Sequence, residues 1–182
     1  MKVLKHTVQG FVDRRQLTLQ NIEETRQQFE DMGKQFPTNE QLEFNQDADW
    51  SVLLTDVSVH VLVEKDRRKQ WLSFVFNAGF VWDLASVPKF FRGIVDNDSQ
   101  ESIIAAMCHD AMFTGHLLPF HEANDVFYGL LRQAGESRFK SRIYWIAVAS
   151  PVGRMMYNRK TVKRAVWQLA FIQFEIESDV EC

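Results

Sequence analysis

The spacing of apolar residues changes once along this chain, and that change limits its fold more than any other feature. From Val57 to Phe76 apolar and polar residues alternate with a period of two, whereas from Ser102 to Leu131 the apolar positions recur every three or four residues. A β-patterned stretch followed by successive helical stretches predicts an α+β domain: a small antiparallel sheet or hairpin, then a bundle of helices.

In the first stretch Val57, Val59, Val61 and Val63 alternate with Ser58, His60 and Glu64, as in a half-buried strand with His60 facing out. The charged run 65–69 suits an exposed turn, and Leu72, Phe74 and Phe76 then alternate with Trp71, Ser73 and Val75 in a return strand. Upstream, Leu19, Ile22, Phe29, Met32 and Phe36 are spaced as one helical stripe over residues 13–36, which Pro37 ends. Residues 1–48 therefore read as an N-terminal helical extension, 49–160 as the core domain, and 161–182 as a C-terminal helix and tail. In that last helix, expected over 161–177, Trp167, Phe171 and Phe174 form an apolar stripe.

The second stretch resolves into several helices. Asp98 and Glu101 resemble a capping box for a helix from Ser99 to Thr114, with Gly115 suited to a left-handed C-terminal position. A helix over Phe120–Ala134 stops at Gly135, and another is expected over 138–149.

Turning Ser102–Thr114 at 100° per residue puts Ile104, Met107, Cys108 and Ala111 on one face and Ala105, Ala106, His109, Asp110 and Phe113 on the other. A helix apolar on both faces is buried on both, so an imidazole and a carboxylate there need polar partners. The next helix supplies one: Asn124 lies inside its apolar stripe, whereas Asp125 turns away with Gly129 and Arg132. An antiparallel helix pair would face His109 towards Asn124, which would fix the imidazole tautomer for proton transfer. Between strand and helix, Gly79 permits an unusual backbone geometry; Asp83 and Ser86 either cap the following segment or supply oxygen to the same site. Cys108, on the core face, reads as a structural thiol, and His116 and His121 as exposed residues matching no compact zinc motif.

Three ordered motifs, Gly79-Phe80-x-x-Asp83-x-Ala85-Ser86-x-Pro88, Ala105-Ala106-x-x-His109-Asp110-x-x-Phe113 and Ala123-Asn124-x-x-Phe127, resemble the phage and prophage family called domain of unknown function 1353. The resemblance covers about residues 70–157 and implies a bacteriophage or prophage origin without an assigned activity. Trp82 and Leu84 stand where the family has Thr and Gly, Phe113 where it has Tyr, and Asn124 where it has Asp. More locally, the His-Asp helix and its neighbour are similar to the helix pair of phospholipase A2. That resemblance implies His109 as general base, Asp110 as a calcium ligand and Asn124 as the orienting group. The chain lacks the glycine-rich calcium loop, and Phe113 lacks the tethering phenol.

Composition sets the remaining bounds. Two cysteines, one of them Cys182, exclude a disulfide framework and point to host cytoplasm or virion rather than a secreted disulfide protein. No apolar run is long enough to span a bilayer. The formal charge of −3 hides nine basic residues and one acid between Arg132 and Arg164, so that segment carries +8 and the rest −11. Arg154, Arg159, Lys160, Lys163 and Arg164 are its candidate contacts for anionic lipid, phosphate or nucleic acid; the alternative is a set of solvated helix faces. The resulting expectation is a small hydrolase-like centre of His109, Asp110 and Asn124, supported by Asp83 and Ser86 and acting on an ester or phosphoester. No cofactor is required; calcium at Asp110 is the one addition that the phospholipase resemblance implies. The rival is a buried network that fixes the fold of a virion, assembly or host-interaction component.

Overall fold

A computed structural model describes residues 1–38, 50–83, 99–159 and 169–178, leaving aside the side chains of Asp83, Glu101 and Arg159. In chain order its elements are β1 (Lys2–Gln9), β2 (Arg14–Gln16), α1 (Ile22–Asp31), β3 (Trp50–Leu53), β4 (Val57–Lys65), β5 (Arg68–Phe76) and β6 (Val81–Asp83). Then come α2 (Gln100–Thr114), α3 (Phe120–Gln133), α4 (Arg138–Ala149), α5 (Pro151–Arg159) and β7 (Ile172–Ser178). The class is α+β, as the change of period requires.

The hairpin forms where expected. Asp66 and Arg67 both have positive φ, 51° and 64°, the backbone of a two-residue turn whose twist matches the strands it joins. Register pairs Val57 with Phe76, Val59 with Phe74 and Val61 with Leu72, all on one face. All six are buried, and each large side chain contributes about 1.5–3 kcal/mol by leaving water. His60 lies on the opposite face, half-buried, with Nδ1 3.0 Å from Ser73 Oγ.

Both ends of the chain differ from expectation. The sheet is four-stranded, in the order β1-β4-β5-β7, all antiparallel, so strands from the N-terminal and C-terminal segments form its edges. The N-terminal segment is therefore not a purely helical extension. Within it α1 starts only at Ile22, after a turn in which the Thr18 backbone N–H donates to Asn21 Oδ1 and the Asn21 N–H donates to Thr18 Oγ1. Of its expected stripe, Ile22 and Phe29 are buried, but Leu19 and Met32 are exposed.

The helix expected over 161–177 also gives way to β7, while residues 161–168 lie outside the described set. Ile172, Phe174 and Ile176 alternate with Gln173, Glu175 and Glu177, and pairing them satisfies an edge of β5 that would otherwise expose bare N–H and C=O groups. Phe174 packs on Phe74 at 4.9 Å, a cross-strand pair rather than a helix stripe.

A second sheet, β2-β3-β6, carries the chain into the helices. Gly79, at φ +98°, makes the bend before it, because a Cβ there would stand 2.7 Å from the Phe171 ring and 2.8 Å from the Gln35 carbonyl oxygen. β6 then packs against α2, and α2 against α3. The face of α3 expected to point outward through Gly129 is covered instead. β1 lies on it, so close that a Cβ at Gly129 would meet Val3 Cγ2 at 2.4 Å.

Candidate functional site

α2 begins one residue later than the sequence suggested. Asp98 is outside the described residues; the cap is Ser99, whose Oγ accepts the Ser102 backbone N–H at 3.2 Å. Ser102 Oγ in turn donates to Glu136 Oε1 at 3.1 Å, tying the start of α2 to the end of α3. At the other end Gly115 is right-handed, with φ −79°, and the left-handed residue is His116 at φ 50°. Space around Gly115 is tight instead, since a Cβ there would stand 3.0 Å from the Ala111 carbonyl oxygen and 3.1 Å from the Leu117 side chain.

From Ser102 to Thr114 every residue except Ala106 is buried, the two-sided burial that its two apolar faces imply. That burial carries polar groups inside. His109 is 2% exposed, Asp110 1% and Asn124 1%. The antiparallel α2–α3 pair brings His109 Nε2 within 3.0 Å of Asn124 Oδ1. An amide oxygen only accepts, so Nε2 carries the proton, and in the neutral ring the lone pair falls on Nδ1. The imidazole packs against Phe113, with centroids 4.2 Å apart, and against Phe127 at 4.5 Å. Thr114 Oγ1 donates to Asp110 Oδ1 at 3.4 Å. Asp125, as expected, turns outward, and it pairs with the Met1 amino group at 2.8 Å.

One atom in this centre has no use. Asn124 Nδ2 is buried and has no hydrogen-bond partner among the described residues. A buried, unsatisfied amide donor costs about 1–3 kcal/mol.

The other candidates divide sharply. Asp83 ends β6, its backbone paired with Trp50, which brings the first motif beside α2; its side chain and all of Ser86 lie outside the described residues. Arg154 is exposed on α5, with its guanidinium 5.8 Å from the centre of the Phe120 ring. Arg159 ends α5, while Lys160, Lys163 and Arg164 are outside the described set. His116 and His121 are exposed, as read from their positions. Cys108 is buried, and burial pushes its thiol far above the usual range, which suits a structural residue.

The calcium expectation involves side chains, those of Asp83 and Ser86, that lie outside the described residues. Calcium takes six to eight oxygens, and among the described residues no three His, Cys, Asp or Glu side chains lie close enough to hold a metal. The Asp110 carboxylate and Thr114 hydroxyl are far short of such a shell.

A family model described as "Protein of unknown function (DUF1353)" matches residues 57–148, just over half the chain. The chain belongs to that family. No curated protein and no solved structure matches it. The matched span runs from β4 to the last turns of α4, so it includes the hairpin and the whole His109–Asn124 pair but neither β1 nor β7.

Phe127 closes the third motif, whereas Tyr157 belongs to none of the three. Phe127 lies three residues after Asn124, hence on the same helix face, and that spacing is the signal for its contact with the imidazole. Tyr157 of α5 brings a phenol to the neighbourhood that Phe113 lacks. Its ring meets Phe113 at 5.2 Å, but its hydroxyl donates to the Leu118 carbonyl at 3.0 Å, bracing the α2–α3 loop.

Proposed function

We propose that this protein is a phage- or prophage-encoded hydrolase-like domain in which His109 acts as general base towards an ester or phosphoester. The observation that carries this reading is the state of Asn124. Its carbonyl oxygen accepts from Nε2–H, which sets the neutral ring in the tautomer with its lone pair on Nδ1, the tautomer a base requires, while Asn124 Nδ2 has no hydrogen-bond partner among the described residues. In this reading Asn124 is a positioning residue, and Asp110, Asp83 and Ser86 supply the polar surroundings. No step runs through a metal. Calcium at Asp110 enters only as a test, in which added calcium would raise the melting temperature of the protein but not of Asp110→Asn.

A second reading has its own support: His109 is almost fully buried and packed by two phenyl rings. Under it the centre fixes the fold of a virion, assembly or host-interaction component, in the virion or host cytoplasm. Chromogenic carboxylic esters and phosphodiesters separate the two. The catalytic reading expects His109→Gln to lose about 100-fold or more in kcat/KM while the fold persists. Wild-type turnover no greater than that of His109→Gln overturns it. An anionic partner for the basic segment belongs to the same proposal, supported by the exposed Arg154 on α5.

A further inference from the structure

The helices after the candidate site expose more than charge. Among the described residues ten large apolar side chains are exposed, and five of them lie on α4 and α5: Phe139, Ile146, Val152, Met155 and Met156. Phe139 is 73% exposed. On α4, Phe139, Arg142 and Ile146 share one face, three and four residues apart, opposite the buried Ser141, Tyr144, Ala147 and Val148. On α5, Val152, Met155 and Met156 likewise share one exposed face, three and four residues apart. The turn between the helices is tight. Ser150 Oγ accepts the Gly153 N–H at 3.1 Å, and a Cβ at Gly153 would overlap the Val148 carbonyl.

Cations border this apolar surface. Arg138, Arg142 and Arg154 are exposed, and the Arg142 guanidinium lies 4.7 Å from the centre of the Trp145 ring. From Ser137 to Phe174 the chain has eight Lys or Arg and no Asp or Glu. Exposed Phe, Ile and Met bordered by Arg, with the flanking Glu136 set against Lys140 at 4.0 Å, is the pattern of a helix surface that lies in a bilayer interface. No helix among the described residues is long and apolar enough to cross a membrane. We infer that the α4–α5 face docks on an anionic lipid bilayer, inserting Phe139, Ile146, Val152, Met155 and Met156 among the acyl chains while the arginines meet lipid phosphates.

Two other occupants fit less well. A duplex or single-stranded nucleic acid uses cations and aromatic rings but gains little from Val152, Ile146 and the methionines. A second copy would bring the same predominantly basic face against itself, setting like charges opposite each other.

The inference rests on the anionic-partner reading above, and one experiment separates the fates of the two. The full chain is floated with vesicles of equal parts phosphatidylglycerol and phosphatidylcholine, and with pure phosphatidylcholine vesicles; binding to a DNA duplex is measured alongside. The expected result is binding to the anionic vesicles only. Phe139→Ser with Ile146→Ser should weaken it about tenfold or more, and Arg138→Gln with Arg142→Gln about fivefold per charge, with melting temperatures unchanged. Binding to DNA but not to vesicles overturns the bilayer inference and leaves an anionic partner in place. Binding to neither overturns both. Vesicle binding that survives the Phe139/Ile146 change, or loss of that pair's effect into a self-association equilibrium seen by sedimentation, also overturns the bilayer inference.

Discussion

Replacing the partners of the His109–Asn124 bond one at a time and then together measures what that bond does for the fold. His109→Phe keeps a ring against Phe113 and Phe127 but leaves both polar ends of Asn124 unpaired in a site that is 1% exposed. One buried group stripped of its partner costs about 1–3 kcal/mol. Asn124→Leu removes the acceptor of Nε2–H at a similar cost, but it also deletes Nδ2, a donor already unpartnered, so its net loss is smaller. The double variant leaves neither group stranded. It should therefore be more stable than the sum of the single effects by about 1–3 kcal/mol, and close to wild type. In a domain of this size that coupling is about 2–12 °C in Tm. Urea denaturation followed by tryptophan fluorescence gives the four free energies of the cycle. Additivity within about 0.5 kcal/mol would refute the reasoning, because the two side chains would then not share a buried bond. A double variant as stable as wild type but inactive would show the polar pair retained for chemistry at no gain in stability.

Two further outcomes follow from the packing. Gly129→Ala ought to lower the urea midpoint: helix propensity favours Ala by about 1 kcal/mol, but the new Cβ overlaps Val3, and such overpacking costs about 1–3 kcal/mol. A stabilised variant would mean that β1 does not lie on α3 as described. In a Cys182→Ser background, Cys108 should resist iodoacetamide up to mildly alkaline pH in the folded protein and react on unfolding. Burial raises its thiol pKa, so the reactive thiolate is scarce until well above the ordinary range. Rapid labelling of the folded chain contradicts that burial.

The parts of the site set by one helix turning at 100° per residue were legible in the sequence. The inward Asn124, the outward Asp125 and the two-sided burial of Ser102–Thr114 all follow from that rule. So did the hairpin, whose valines leave only one face for the core. What periodicity could not decide was the edge of the sheet. Trp167, Phe171 and Phe174 fit a helix stripe as well as Ile172, Phe174 and Ile176 fit a strand, and the choice is made by the unpaired edge of β5 across the fold. Lys2–Gln9 carries a weak pattern for the same reason: much of its stabilisation comes from pairing with β4 and from α3 packing through Gly129, contacts that are distant in sequence. At the end of α2, Gly115 drew the left-handed assignment on propensity, yet it is right-handed in tight space beside Ala111 and Leu117, and His116 takes the left-handed backbone.

The account turns on which nitrogen of His109 carries its proton. Long-range ¹⁵N–¹H correlation spectra of the protein labelled at histidine, assigned with His109→Gln, read this directly at neutral pH. The geometry requires a protonated Nε2 held by Asn124 and an unprotonated, pyridine-like Nδ1. A proton on Nδ1 alone, or on both nitrogens, would mean that Asn124 does not orient a base, and His109 would lose its proposed role.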